Sequence, residues 1–167
     1  LLPAGCGSKE MALRAYTNKE GDDIFPLLAK YFEQIAMAKV SMSALEAKKM
    51  GYLRSDDIII AHPNELLYVA KQQALAMLES GFKAPQDTTF KVVGRAGYAN
   101  AMAQVANLYG GGFMSEHDKL CVTEVAKVMT GSEVEENALV NSEMMLDLER
   151  NSFIKLLSTK KTQDRIE

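Results

Sequence analysis

Residues 1–11, LLPAGCGSKEM, decide how the rest of the chain is read. Leu1 and Leu2 resemble the last residues of a strand, Pro3 to Gly7 a tight glycine-rich turn, and Ser8 the cap of a helix. Backbone N–H groups converge at such a helix start, where the dipole favours an anion or a polarised oxygen. The glycine spacing fits neither the GxxxxGK phosphate loop nor the GxGxxG dinucleotide turn, so by spacing alone the turn is a bend that needs glycine. A chain entered in mid-strand is expected to be a piece of a longer polypeptide.

Downstream, the helical period dominates. A short helix is predicted from Lys9 to about Tyr16 and is ended by turn residues 18–21. Asp22 or Asp23 then caps a longer helix that tolerates Pro26 in its first turn and carries Ile24, Leu28, Tyr31, Phe32 and Ile35 on one face. In SMSALEAKKMG, Ser43 and Glu46 have capping-box spacing and Gly51 suits the position past the last turn. Ile58 to Ile60 within DDIIIAHP predict a short buried strand, about 57–61. Pro63 opens a helix to about Ser80 with Leu67, Ala70, Ala74 and Leu78 inward.

Residues 90–93 read as a second short strand or as an extended segment. A helix follows from Tyr98 to Tyr109, ended by three glycines. Ser115 and Asp118 repeat the capping-box spacing before a helix bearing Leu120, Val122, Val125, Ala126 and Met129, stopped by Gly131. Asn141 or Ser142 caps the last long helix, predicted to bury Met145, Leu148, Phe153, Ile154 and Leu157 and to turn Asp147, Glu149 and Arg150 to water. Residues 159–167 form a charged tail or a further short helix. The fold class is therefore mainly α, with one or two short β-strands at about 57–61 and 90–93.

Composition excludes several classes. Nineteen basic and 22 acidic side chains give a net charge of −3 with interspersed signs, which argues against nucleic acid and anionic lipid. Two cysteines and two histidines are too few, and too scattered, for a structural zinc site. A reducing, cytoplasmic setting suits that cysteine usage, and no apolar run reaches the roughly 20 residues of a membrane span. Cys6 beside a helix start could be an activated nucleophile, but no histidine lies nearby in sequence, and a buried inert thiol is the simpler expectation. His117 reads as a helix-surface or cap residue, because its neighbour Asp118 faces elsewhere on a helix. His62 reads as a cap before Pro63, Arg95 in GRAG as one arginine in a turn, and the ten methionines as core filler.

Longer stretches carry a resemblance. LLPAGCGSKEMALRA followed by SMSALEAKKMGYLRSDDIIIAHPNELLYVAKQQALAM resembles the second half of the crotonase (enoyl-CoA hydratase/isomerase) fold: a glycine turn, an SALEA helix, a short strand and an alanine-rich helix. VVGRAGYANAMAQVANLYGGGFMSEHDKL and LDLERNSFIKLLSTKKTQDRIE are similar to the C-terminal part of fused 3-hydroxyacyl-CoA dehydrogenases. Those proteins place an NAD-binding dehydrogenase region first and a crotonase-like domain last. The resemblance implies that residues 1–80 are the C-terminal half of the crotonase-like core and 81–167 a helical extension, packed as one domain. It implies a fatty-acid β-oxidation enzyme, oxidoreductase and lyase, acting on acyl-CoA thioesters and using NAD in a region outside this chain. In such hydratases two glutamates hold the water that adds to the enoyl bond, and two backbone N–H groups stabilise the thioester oxyanion; all four would lie upstream. What maps here is the turn: the backbone N–H of Ala4 orienting the water, with Pro3 and Gly5 at the pocket rim. Cys6 replaces the family's usual glycine, which puts the turn's conformation in question. The expected partner is the rest of the same enzyme, in a homo-oligomer, and the chain alone is expected to be inactive. The other reading is a non-catalytic helical interaction module.

Overall fold

The computed structural model describes residues 2–3, 5–84, 86 and 89–166. By contact the chain forms two compact units, Leu1–Val40 with Thr88–Glu167, and Ser41–Asp87.

The first unit holds α1 (Gly7–Thr17), α2 (Phe25–Ala36), β1 (Phe90–Lys91), α5 (Gly94–Gly110), α6 (Glu116–Thr130), β2 (Leu139–Val140), α7 (Ser142–Leu157) and α8 (Lys160–Ile166). Its centre is α6, the helix against which α1, α2, α5 and α7 all pack. This follows from its composition: Cys121, Val122, Val125, Ala126, Val128 and Met129 form one broad apolar face and are all buried, with His117, Glu124 and Thr130 buried at its margins. The predicted capping box is present, with the Ser115 hydroxyl accepting the Asp118 N–H and the Asp118 carboxylate accepting the Ser115 N–H. Gly131 ends the helix at φ 81°; a Cβ there would lie 2.7 Å from Val92 Cγ2.

Strand β1 pairs antiparallel with β2, Phe90 opposite Val140 and Lys91 opposite Leu139. The predicted strand over 90–93 is thus shortened to two residues, because the next bonds, Val92 N–H to Ala138 and Asn137 N–H to Val92, already belong to the turn that leads into α5. Helix α5 starts at Gly94, four residues before the predicted Tyr98. Gly94 has φ 54°, and a Cβ would sit 2.3 Å from the Val134 carbonyl oxygen, so the close approach of two backbones requires glycine.

The second unit holds α3 (Ala44–Met50), a 3-10 turn Pro63–Glu65 and α4 (Leu66–Glu79). Helix α3 is bracketed as expected: Ser43 Oγ accepts the Glu46 N–H, Glu46 accepts the Met42 N–H, and Gly51 takes φ 85° while Tyr52 and Leu53 donate to the Ala47 carbonyl. Two expectations for this unit are corrected. No strand forms at 57–61: β-branched preference expresses packing against neighbouring strands, and the three isoleucines have none beside them among the described residues. The predicted inward face of α4 is not buried; Leu67 is 82% and Leu78 75% exposed, and no described residue of α4 is buried.

The mainly helical expectation is borne out by eight α-helices and a two-stranded sheet among the described residues. No helix is long and apolar enough to cross a membrane among them.

Candidate functional site

The glycine turn lies at the start of α1. Ala4 and Leu1 fall outside the described residues, so the predicted water-orienting N–H cannot be placed. Pro3 and Gly5 can. The Pro3 carbonyl accepts the Ser8 N–H at 3.2 Å, closing the turn, and a Cβ on Gly7 would come 2.9 Å from Pro3 Cβ. Gly5 and Cys6 both adopt φ 78°, and Cys6 is the N-cap residue of α1, with no bond from its own side chain. Ser8, predicted to be the cap, instead lies inside the first turn, fully buried, with no hydrogen-bond partner for Oγ. Cys6 is exposed rather than buried, because the left-handed backbone carries its side chain away from the helix core.

The cap comes from elsewhere. Glu149 of α7, 3% exposed, places Oε1 2.7 Å from the Cys6 N–H and Oε2 3.1 Å from the Lys9 N–H. Those amides lie three positions apart, the spacing that an N-cap side chain and its capping-box partner normally satisfy. Here one carboxylate, 143 residues away in sequence, does both. It also meets the positive end of the helix dipole, so the anion expected at this turn is one of the protein's own side chains. Glu149 was expected to face water. The buried stripe of α7 instead runs Met145, Glu149, Ser152, Leu156, while Ile154 is exposed. The four-three-four spacing of that stripe was the available signal; the carboxylate in its middle masked it.

Two further polar clusters lie in the same unit. His117 is buried rather than at the surface, with Nε2 3.1 Å from Thr162 Oγ1 of α8 and 3.7 Å from Cys121 Sγ one turn along α6. Burial pushes the Cys121 thiol up, and both cysteines are free. Beside them Arg165 of α8 pairs with Asp118 at 3.0 Å; the Ser115 hydroxyl first, and then Arg165, hold the Asp118 carboxyl below its usual range. Sequence reasoning missed the pair of His117 and Cys121, although four-residue spacing on one helix face is its signature.

The second cluster centres on Glu124, 2% exposed, which accepts Lys155 of α7 at 2.6 Å and Lys127 at 3.0 Å. Burial opposes its charge, but those two ammonium groups outweigh it and hold the carboxyl below the ordinary value. Burial first, then the Glu124 charge, raises the nearby Tyr98 phenol. Arg95 hydrogen-bonds the Glu133 carbonyl at 2.7 Å and pairs with Glu135 at 3.1 Å, so it anchors the loop before β2. His62 precedes the 3-10 turn as its N-cap. Among the described residues no group of three or more His, Cys, Asp or Glu is placed to hold a metal ion.

Of the three clusters, only that of Glu149 joins a residue to the predicted turn. No family model matches the chain, and no solved structure matches it. It is 36% identical over all 167 of its residues to a protein of Bacillus subtilis (strain 168) named probable 3-hydroxyacyl-CoA dehydrogenase, and it spans 21% of that protein's length. The expected resemblance to a 3-hydroxyacyl-CoA dehydrogenase is thus borne out from end to end of the chain, against about one fifth of a larger dehydrogenase.

Proposed function

We propose that this chain is the C-terminal helical part of a 3-hydroxyacyl-CoA dehydrogenase of fatty-acid β-oxidation whose last domain is crotonase-like. The observation that carries this reading is the unbroken similarity over all 167 residues to one dehydrogenase nearly five times as long. In the parent, residues 1–80 complete the crotonase-like core and 81–167 extend it. NAD belongs to the preceding dehydrogenase region, and nothing in this chain is assigned to it. The acyl-CoA thioester lies against the turn at Pro3 and Gly5, where the Ala4 N–H orients water delivered by two glutamates upstream. With those acids and the oxyanion donors elsewhere, the isolated chain does no chemistry, and its helices support and cover the pocket. The setting is cytoplasmic and the assembly a homo-oligomer.

The test uses the encoded parent polypeptide and the 167-residue chain side by side. The parent should reduce NAD with a 3-hydroxyacyl-CoA and remove the ultraviolet absorbance of a conjugated 2-enoyl-CoA, and the chain should do neither. A parent that oxidises but never hydrates has a crotonase scaffold without the activity; a parent that does neither overturns the reading.

One observation favours a second reading, a non-catalytic interaction module. Helix α4 presents Leu66, Leu67, Tyr68 and Leu78 outward with no buried described residue, a surface that a soluble monomer seldom keeps. Self-association of the isolated chain on sedimentation, lost in L67E/L78E, would support it, and a monomer at all concentrations would remove it.

A further inference from the structure

We infer that Glu149 is a positioning residue for the turn at Pro3 and Gly5: by gripping the Cys6 and Lys9 amides it holds a left-handed bend that the sequence at this point does not favour. Its catalytic consequence rests on the crotonase-like reading above; the geometry does not.

Two successive residues at φ 78° open α1, and the second, Cys6, carries a Cβ. A non-glycine residue in that region is disfavoured by roughly 5- to 30-fold relative to ordinary backbone. Something must offset that preference, and the Cys6 side chain makes no capping bond. What the structure offers is the Glu149 carboxylate, 2.7 Å from the Cys6 N–H, a charge-assisted bond sheltered from water. The second oxygen, on Lys9 N–H, ties the same carboxylate to the first turn of α1, so the bend and the helix are fixed as one piece. The Glu149 side chain in turn is held by a rigid element. Its neighbours on α7, Met145 and Leu156, are buried, Asn141 caps the helix at the Met144 N–H, and Lys155 ties it to Glu124 of α6. The helix that fixes the turn therefore comes from the C-terminal extension, 143 residues downstream. This answers the question raised by Cys6: the position tolerates a side chain because its amide is anchored.

A residue acting this way has a signature that a merely stabilising one lacks. Glycine at position 6 needs no anchor to sit at φ 78°, so Cys6→Gly should rescue the loss of Glu149. In the parent polypeptide, Glu149→Gln should lower kcat for enoyl-CoA hydration about tenfold, set by that conformer preference, with KM within about twofold. The double variant E149Q/C6G should recover to within about threefold of the parent. Thermal melts of each parent variant, followed by circular dichroism, report that it is folded, and NAD-linked oxidation reports that the upstream region is intact. In the 167-residue chain, the amide proton resonances of Cys6 and Lys9 should both move on E149Q. Hydration unaffected by E149Q, or a loss that C6G does not rescue, overturns the inference. If the unmodified parent does not hydrate, the hydratase reading falls by itself and the two amides still decide the clamp: moved together they support it, unmoved they overturn it.

Discussion

Replacing Glu124 by glutamine keeps its shape and removes its charge. The side chain is 3% exposed and accepts Lys155 at 2.6 Å and Lys127 at 3.0 Å, whose own side chains are 53% and 34% exposed. Hydrogen bonds to a buried charge contribute about 1.5–3 kcal/mol each. Half-exposed ammonium groups recover hydration when released, which brings each pair down to about 1 kcal/mol. Relief of burying the carboxylate takes back part of the sum, leaving a loss of about 1–2 kcal/mol for E124Q. For a chain of this size that is a fall in melting temperature of about 2–8 °C. The pH dependence sharpens the test. Because the folded-state pKa of Glu124 is lowered from 4.5, its stabilisation is fully present above that value and is lost as pH falls through the lower folded value. Thermal melts of the two proteins, followed by circular dichroism at pH 7 and at a pH well below 4.5, should show the larger gap at the first and a narrower one at the second. An equal gap at both, or none at pH 7, would refute the argument that the charge of Glu124, rather than its packing, joins α6 to α7.

Gly94→Ala should be among the most damaging single changes, costing more than about 2 kcal/mol in urea melts, since its Cβ would press to 2.3 Å of the Val134 carbonyl oxygen at φ 54°. Cys6→Gly with Glu149 intact should raise stability by up to about 1 kcal/mol by removing left-handed strain, and a fall would show that the Cys6 side chain packs usefully. Thr162→Val should leave His117 Nε2 without its hydroxyl partner and loosen α8 by about 1–2 kcal/mol, seen as faster amide exchange confined to 160–166.

The parts of the fold that sequence made legible are those governed by local chemistry. Ser43 with Glu46 and Ser115 with Asp118 bracket helices through bonds made within four residues, and Gly51 and Gly131 end them through their own backbone freedom. What sequence did not reveal depends on distant partners. The isoleucines at 58–60 have strand character but no strand beside them, and α4 has an apolar face but no described residue buried. In the candidate site the turn was visible from its glycines, whereas its cap was not. Charged side chains are read as water-facing by default, and only a contact spanning 143 residues makes Glu149 an inward one. The same default hid Glu124, and weighing His117 only against its neighbour Asp118 missed Cys121 one turn along and Thr162 of α8.

The most direct test of the account is the structure of the parent polypeptide with a non-reactive 2-enoyl-CoA analogue bound. The account predicts the acyl carbons beside the turn at Pro3 and Gly5, with the Glu149 carboxylate still between the Cys6 and Lys9 amides. A turn that faces away from the thioester, or a Glu149 that has left those amides, would contradict it.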